Sequence, residues 1–391
     1  MHYDFTTLPN RREQASIKWK LMLEDKDVPN GIVPLTTADM ELKNPPEIIE
    51  GLKSFLDEMV LGYTYPSSDF INAFQFWMKS RHNLNVKPEW IVPTTGVVPA
   101  FFTAIRALTK KNDGVVIMPP VYPPFFRAVE AQKRKLLQCP LLCSSQGYYE
   151  IDFEHLEKIF KSGNAKVLLF CSPHNPVGRV WKKKELERLA ELCLKYNVFI
   201  LADEIHHDLV LPGHKHTVFQ SLSPEVAKIT ITHTSLSKTF NLAGMMLSVN
   251  IISDKNVREK FNAELSTSGS HQATALGYKA FEIAYTKCAA WLDQFLELID
   301  KNQKLVSTEL SDTKVKAASV EGTFLQWLDF RALKLSDEEL LRFLHEKALL
   351  YLNEGKTFGK EGSAFARINL AAPSFVISEA MQRLKKALKE L

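Results

Sequence analysis

Short apolar runs separated by stretches of helical periodicity constrain this chain more than any other feature. Residues 115–118, 167–170, 198–201 and 229–232 are such runs, built from Val, Ile, Leu, Phe, Met and Thr. A run with no polar alternation suits a strand covered on both faces, as in a parallel sheet. Between two of them, residues 185–196 place Leu186, Leu189, Ala190 and Cys193 at helical spacing. The alternation predicts βαβ units wound around a mostly parallel sheet, with a further strand over 247–252 at an edge or antiparallel. This α/β block is expected to span 50–285. Beyond it the rhythm changes to a long helix over 291–310, strands over 324–330 and 365–370, and helices over 336–346 and 378–391. That pattern predicts a smaller α+β domain over 286–391, with 1–49 as an N-terminal segment packing against it and a substrate cleft between the domains.

Composition narrows the function classes. Lys and Arg number 49 against 45 Asp and Glu, a formal charge of +4 over 391 residues, so no electrostatic footprint for nucleic acid or an anionic membrane is present. No apolar run approaches the roughly 20 residues of a membrane-spanning helix. The N-terminus, with Asp4 and Arg11-Arg12-Glu13, has no apolar leader core. Cys139, Cys143, Cys171, Cys193 and Cys288 are odd in number and contain no C-x-x-C pair, which fits a reducing cytoplasm. Lys182-Lys183-Lys184 reads as a solvated helix start, offset by Glu185, Glu187 and Glu191. His214-Lys215-His216 lacks a third and fourth ligand at usable spacing, so no metal is expected.

The residues with chemical potential gather where strands end, the usual place for ligands in open α/β sheets. Ser235-Leu236-Ser237-Lys238-Thr239 follows the 229–232 strand. Taken alone, that run more often describes a solvated loop lysine, and a nucleophilic lysine needs desolvation or nearby cations. Asp203-Glu204-Ile205-His206-His207-Asp208 puts an acid at the end of another strand, and also reads as a capped turn. Ser172-Pro173-His174-Asn175-Pro176-Val177-Gly178 follows a third and equally describes a turn. Pro119-Pro120-Val121-Tyr122 sets an aromatic at a fourth, and Thr94-Thr95-Gly96-Val97-Val98 opens a helix whose free amides suit a phosphate.

In this order, N-P-x-G, D-E-I-H and S-x-S-K-T make a specific combination, and the chain resembles the fold type I pyridoxal 5′-phosphate (PLP) enzymes of the class I and II aminotransferase superfamily. Thr37-Ala38-Asp39-Met40, Lys238 to Gly244, and Gly322 to Asp329 resemble more narrowly the cystathionine β-lyase or C-S lyase branch. The resemblance implies an aspartate aminotransferase-like fold: a large PLP-binding domain whose mostly parallel seven-stranded sheet is sandwiched by helices, plus the smaller α+β domain. It implies that Lys238 holds PLP covalently and removes the substrate's α-proton. Asp203 is implied to pair with the pyridinium nitrogen, Tyr122 to stack on the ring, and Asn175 and His206 to reach the phenolic oxygen. Gly96, Val97, Ser235 and Ser237 are implied at the phosphate, with Tyr63 reaching it across a homodimer interface. Arg367, Asn175 and Ala38 are implied at the substrate. His207 is expected as a surface neighbour.

Two departures from the family pattern stand out. Met246 occupies the place of a phosphate-binding arginine, a gap shared by the lyase branch. Asn353-Glu354-Gly355 replaces Asn-Pro-Gly, which is expected to alter the cleft rim. The implied reaction is α,β-elimination on L-cystathionine or a related cysteine S-conjugate, giving a thiol, pyruvate and ammonia. The rival is transamination, which shares the lysine, aspartate and arginine. A PLP-binding regulator is a third reading, weakened by the lack of any fused DNA-binding module.

Overall fold

The computed structural model describes residues 2–25, 28–269 and 273–391. Its large sheet takes β1 (Ile91–Thr94), β2 (Gly114–Ile117) and β3 (Lys135–Gln138) from the first part of the chain. A two-stranded hairpin follows, β4 (Leu142–Cys143) with β5 (Tyr149–Glu150). The large sheet then resumes with β6 (Ala165–Cys171), β7 (Phe199–Asp203), β8 (Thr230–Thr234) and β9 (Ser248–Ile251). The seven strands lie in the order β1-β9-β8-β7-β6-β2-β3. All neighbours from β8 to β3 run parallel, and β9 is antiparallel to both β8 and β1. The strand expected over 247–252 is therefore antiparallel but not at an edge, because β1 covers it.

Alternation along the strands sends side chains to two separate apolar layers. Val115, Ile117, Val167, Leu169, Leu201 and Ile231 face one, with Ala100, Phe101, Ala104 and Ile105 of the helix Val97–Leu108. Val116, Leu168, Phe170, Ile200 and Ala202 face the other, with Leu186, Leu189, Ala190 and Cys193 of the helix Lys183–Tyr196. Burial on both sides is why the central strands read as unbroken apolar runs. The two edge strands carry no such signal. β1 contains Pro93, which an edge tolerates, and β3 leaves Lys135 and Gln138 exposed.

After the helices Ala275–Lys287 and Ala289–Leu310, a second sheet forms from β10 (Lys316–Ala317), β11 (Leu325–Asp329), β12 (Asn353–Glu354) and β13 (Phe365–Asn369). It is antiparallel, in the order β10-β11-β13-β12. The helix expected over 336–346 is α-helical only from Asp337 to Arg342 and continues as a π turn to Lys347. The last helix runs Ser374–Lys389, starting directly after Pro373, so that Val376 and Ile377 are already buried in its first turn. The N-terminal segment lies along this second sheet: Leu35 N–H donates to Tyr351 O, Asn369 N–H to Leu35 O, and Glu41 N–H to Ala371 O.

A buried ion pair ties the loop after β6 to the second sheet. Glu321 accepts from Arg179 Nε at 3.0 Å and from Val180 N–H at 2.8 Å, while Arg179 also meets Glu185 at 2.8 Å. Removing Glu321 takes from the buried Arg179 one of its two carboxylates and from Val180 N–H its acceptor, the kind of loss that is costly in an enclosed pair. Glu321→Ala is expected to lower stability by about 3 kcal/mol, read as an earlier urea unfolding midpoint. An unchanged midpoint contradicts this linkage.

Candidate active site

The parallel strands β2, β6, β7 and β8 bring their C-terminal ends to one cavity of about 430 Å³. Tyr122 enters it from the turn after β2, Cys171 and Asn175 from the end of β6, Asp203 and His206 from β7, and Ser235, Ser237 and Lys238 from the turn after β8. Gly96 and Val97 come from the start of the helix Val97–Leu108, and Thr37, Ala38, Asn353, Phe358 and Arg367 close the opposite side. The order of strands reverses beside β2, where β3 lies on one side and β6 on the other, a topological switch point of the kind that opens a crevice.

Lys238 Nζ donates to Ala38 O at 2.7 Å. Burial pushes its pKa down to about 8; the Arg367 and Lys18 charges act the same way, against Asp39 and Asp203. An appreciable share of the amine is thus neutral near pH 8, as a nucleophile requires. Asp203 is buried and accepts Ile205 N–H at 3.3 Å. Burial raises its pKa to about 7, only partly offset by that bond and by the Lys238 charge. Amine and acid therefore share one cavity, and no ion pair joins them among the described residues. A cationic N–H brought to Asp203 would relieve this unfavourable desolvation.

Around them sit groups with open hydrogen-bonding capacity. His206 packs edge-on to Phe324 at 6.0 Å, and its Nδ1 has no partner among the described residues. Burial, with the Lys238 and Arg367 charges, holds this imidazole well below its usual pKa and so neutral. Arg367 donates through Nη1 to Asn175 Oδ1 at 2.8 Å and through Nη2 to Asn353 Oδ1 at 2.7 Å. The first bond uses the Asn175 amide oxygen as its acceptor, which leaves the amide nitrogen as a donor. Arg367 Nε is buried without a partner among the described residues, and burial lowers the guanidinium to about 10. The Tyr122 phenol is pushed up to about 12 by burial and the Asp203 charge, so it remains protonated.

Several expectations change in detail. Ala38 lines the cavity, but its carbonyl is engaged by Lys238. Ser235 Oγ donates to Leu247 O at 2.7 Å and accepts Ser237 N–H at 3.1 Å, capping the single-turn helix Leu236–Thr239. Its hydroxyl proton is committed inside the protein, whereas Ser237, Gly96 and Val97 also line the cavity. Met246 lines the cavity mouth with a left-handed backbone, φ +51°. Tyr63 is fully exposed and lies outside this cavity, in a strip with exposed Met59, Val60, Leu61 and Tyr65. Glu354 does not line the cavity and pairs with Lys356 at 3.5 Å. His207 corrects the reading of a surface neighbour: it is 2% exposed, because its ring stacks on His82 at 4.1 Å and meets Thr234 Oγ1.

One functional cluster escaped sequence reasoning. Lys18 Nζ is buried between Asp39 at 3.0 Å and Glu41 at 2.8 Å, and Arg11 meets the same two carboxylates at 2.9 and 2.8 Å. This cage holds residues 37–41, and with them the Ala38 carbonyl, over Lys238. Lysine in a short amphipathic helix carries no sequence signal of burial. The adjacency of Asp39 and Glu41 was the available hint.

Comparison with known proteins agrees with this geometry. The model for the family aminotransferase class I and II matches residues 31–384. The chain belongs to this family. It is 40% identical to cystathionine beta-lyase PatB of Bacillus subtilis, over 98% of this chain and 100% of that protein. The crystal structure of cystalysin from Treponema denticola, which contains pyridoxal 5′-phosphate, superimposes with a TM-score of 0.98 at 50% identity, covering 100% of both chains. The PLP-bound C-S lyase of Staphylococcus hominis gives 0.91 at 27% identity, covering 99% of this chain and 98% of that one. This family member thus has the aspartate aminotransferase-like α/β fold.

The raised Asp203 pKa has a consequence for stability. Between about pH 4, the unfolded value, and about pH 7, the folded value, the native state binds the extra proton. Stability therefore falls as pH rises through this window. Without ligand, Asp203→Asn is expected to be more stable than the parent at pH 8, by on the order of 3 kcal/mol. The gap should close as pH falls towards 4. Urea midpoints at the two pH values measure it, and a variant less stable than its parent at pH 8 contradicts it.

Proposed function

We propose that the protein is a PLP-dependent C-S lyase. It takes L-cystathionine or a related cysteine S-conjugate through α,β-elimination and, with water, releases a thiol, pyruvate and ammonia. The observation that carries the cofactor assignment is the unneutralised pair in one cavity, the Lys238 amine and the buried Asp203 acid. The full-length relatives named as cystathionine beta-lyase and C-S lyase support elimination over transamination.

When bound, the cofactor supplies an electron sink for the charge that develops at the substrate's α-carbon. Lys238 would hold it covalently and, once its amine is free, would be the base that removes the substrate's α-proton. The Ala38 carbonyl, 2.7 Å from Nζ, receives the free amine and keeps it inside the cleft. Asp203 retains the proton on the pyridine nitrogen, a role suited to a carboxylate that gains stability from a facing cation. Tyr122 covers the ring, and Asn175 and neutral His206 serve the phenolic oxygen. Gly96, Val97 and Ser237 bind the phosphate, with Ser235 shaping that turn. Arg367 receives the α-carboxylate through a guanidinium already oriented by Asn175 and Asn353.

We place Tyr63 at the phosphate of a second copy of the chain. Its exposure within a strip of exposed apolar side chains supports a homodimer with shared sites. Domain limits of 1–49, 50–285 and 286–391 accompany this reading. The proposed location is the cytoplasm, supported by five free cysteines; among the described residues no helix is long and apolar enough to cross a membrane.

The direct test incubates the PLP-loaded protein with L-cystathionine without any 2-oxo acid and follows pyruvate and free thiol together. Sustained, equimolar release of both is expected. Product that appears only when a 2-oxo acid is supplied contradicts elimination and points to transamination.

A further inference from the structure

Lys238 sits in a helix of one turn, Leu236–Thr239. So short a helix has no stability of its own, and its orientation is set by what its side chains grip. Ser235 grips β9's approach through Leu247 O, and Asn44 Nδ2 donates to Phe240 O at 2.8 Å just beyond the helix. A further grip is Thr239, whose buried Oγ1 donates to Asp208 Oδ2 at 2.9 Å.

Asp208 has no exposed side-chain surface. Its Oδ1 receives Trp77 Nε1 at 2.9 Å and His82 Nε2 at 2.7 Å, both from the long helix Ser68–His82. His207 Nε2 stands 3.4 Å from Oδ2. Burial alone raises a carboxyl pKa; the neighbouring His207 and His82 more than reverse this and hold Asp208 well below the usual range. His82, His207 and Asp208 have the composition of a cation site, with ligand atoms within 4.8 Å of one another. Each Asp208 oxygen, however, is already occupied by protein donors, and the His82 nitrogen is at hydrogen-bond distance. The carboxylate acts as a hub for hydrogen bonds.

Asp208 follows Asp203 by five positions, in the turn after β7. We propose that Asp208 is the positioning residue of the active site: by holding Thr239 against Trp77 and His82, it sets the place of Lys238 relative to Asp203. Asp208 does not line the cavity. Its effect passes through the helix that carries the lysine. This inference rests on the assignment of Lys238 as the cofactor-holding lysine made above.

Thr239→Val removes the hydroxyl and preserves the side chain's shape, and Thr239→Ser restores the hydroxyl. Two measurements follow on the PLP-loaded protein: the pH midpoint of the bound cofactor's absorbance, read without substrate, and kcat and KM for L-cystathionine. The valine variant is expected to shift the midpoint by at least half a pH unit and to lower kcat about tenfold with KM within twofold. The serine variant is expected to return both to parent values. Should the valine variant fail to fold, Trp77→Phe removes another donor to the same carboxylate, leaves Thr239 in place, and is expected to move the midpoint in the same way. A folded valine or phenylalanine variant with the parent's midpoint and kcat overturns the proposal, as does a serine variant as impaired as the valine one. The midpoint needs no substrate, so it stands whether the bound amino acid is eliminated or transaminated.

Discussion

Holding a lysine amine and a buried carboxyl in one cavity, without a direct ion pair between them, is the constraint on which the rest of this site depends. Desolvation disfavours the charged form of each, which lowers the Lys238 pKa and raises that of Asp203. A direct salt bridge would remove the cost and the reactivity together. The fold prevents it by giving the amine another acceptor, the Ala38 carbonyl, on the far side of the cleft. The Arg11–Lys18 cage around Asp39 and Glu41 keeps that carbonyl in place. Asp208 holds the lysine's own helix from below. An N-terminal segment, two strand-end turns and a helix of the large domain thus converge on one side chain.

The sheet explains why such different parts of the chain can meet. Parallel strands deliver their C-terminal turns to one edge, so residues at 122, 175, 203 and 238 become neighbours even though more than a hundred positions separate the first from the last. The antiparallel second sheet contributes Arg367 from β13, paired in register with Trp327 and Asn353. The buried Arg179–Glu321 pair joins the two sheets close to Asn175. The cavity-lining residues Asn175 and Arg367 are thus tied to both sheets.

Much of this was legible in the sequence because burial on two faces writes an unmistakable pattern. The central strands and the turns that follow them could be read from apolar runs ending in Tyr122, Asn175, Asp203 or Lys238. Edge strands could not: β1 carries a proline and β3 exposes its ends, so neither shows a period. The Lys18 cage and the burial of His207 were also hidden. Both depend on partners far away in the chain, Asp39 for one and His82 for the other, and an isolated lysine or histidine does not reveal whether it is enclosed. Ser235 was placed in the right turn, but its hydroxyl proton goes to Leu247 O, a detail set by β9 and not by the local run of serines.

The central claim is that Lys238 is the amine made reactive by this enclosure. Borohydride reduction of the PLP-loaded protein makes any cofactor–lysine bond permanent, and peptide mapping by mass spectrometry then identifies the residue that carries it. The account predicts a single stoichiometric label on the peptide containing Lys238. A label spread over surface lysines, or placed on Lys18, would contradict it.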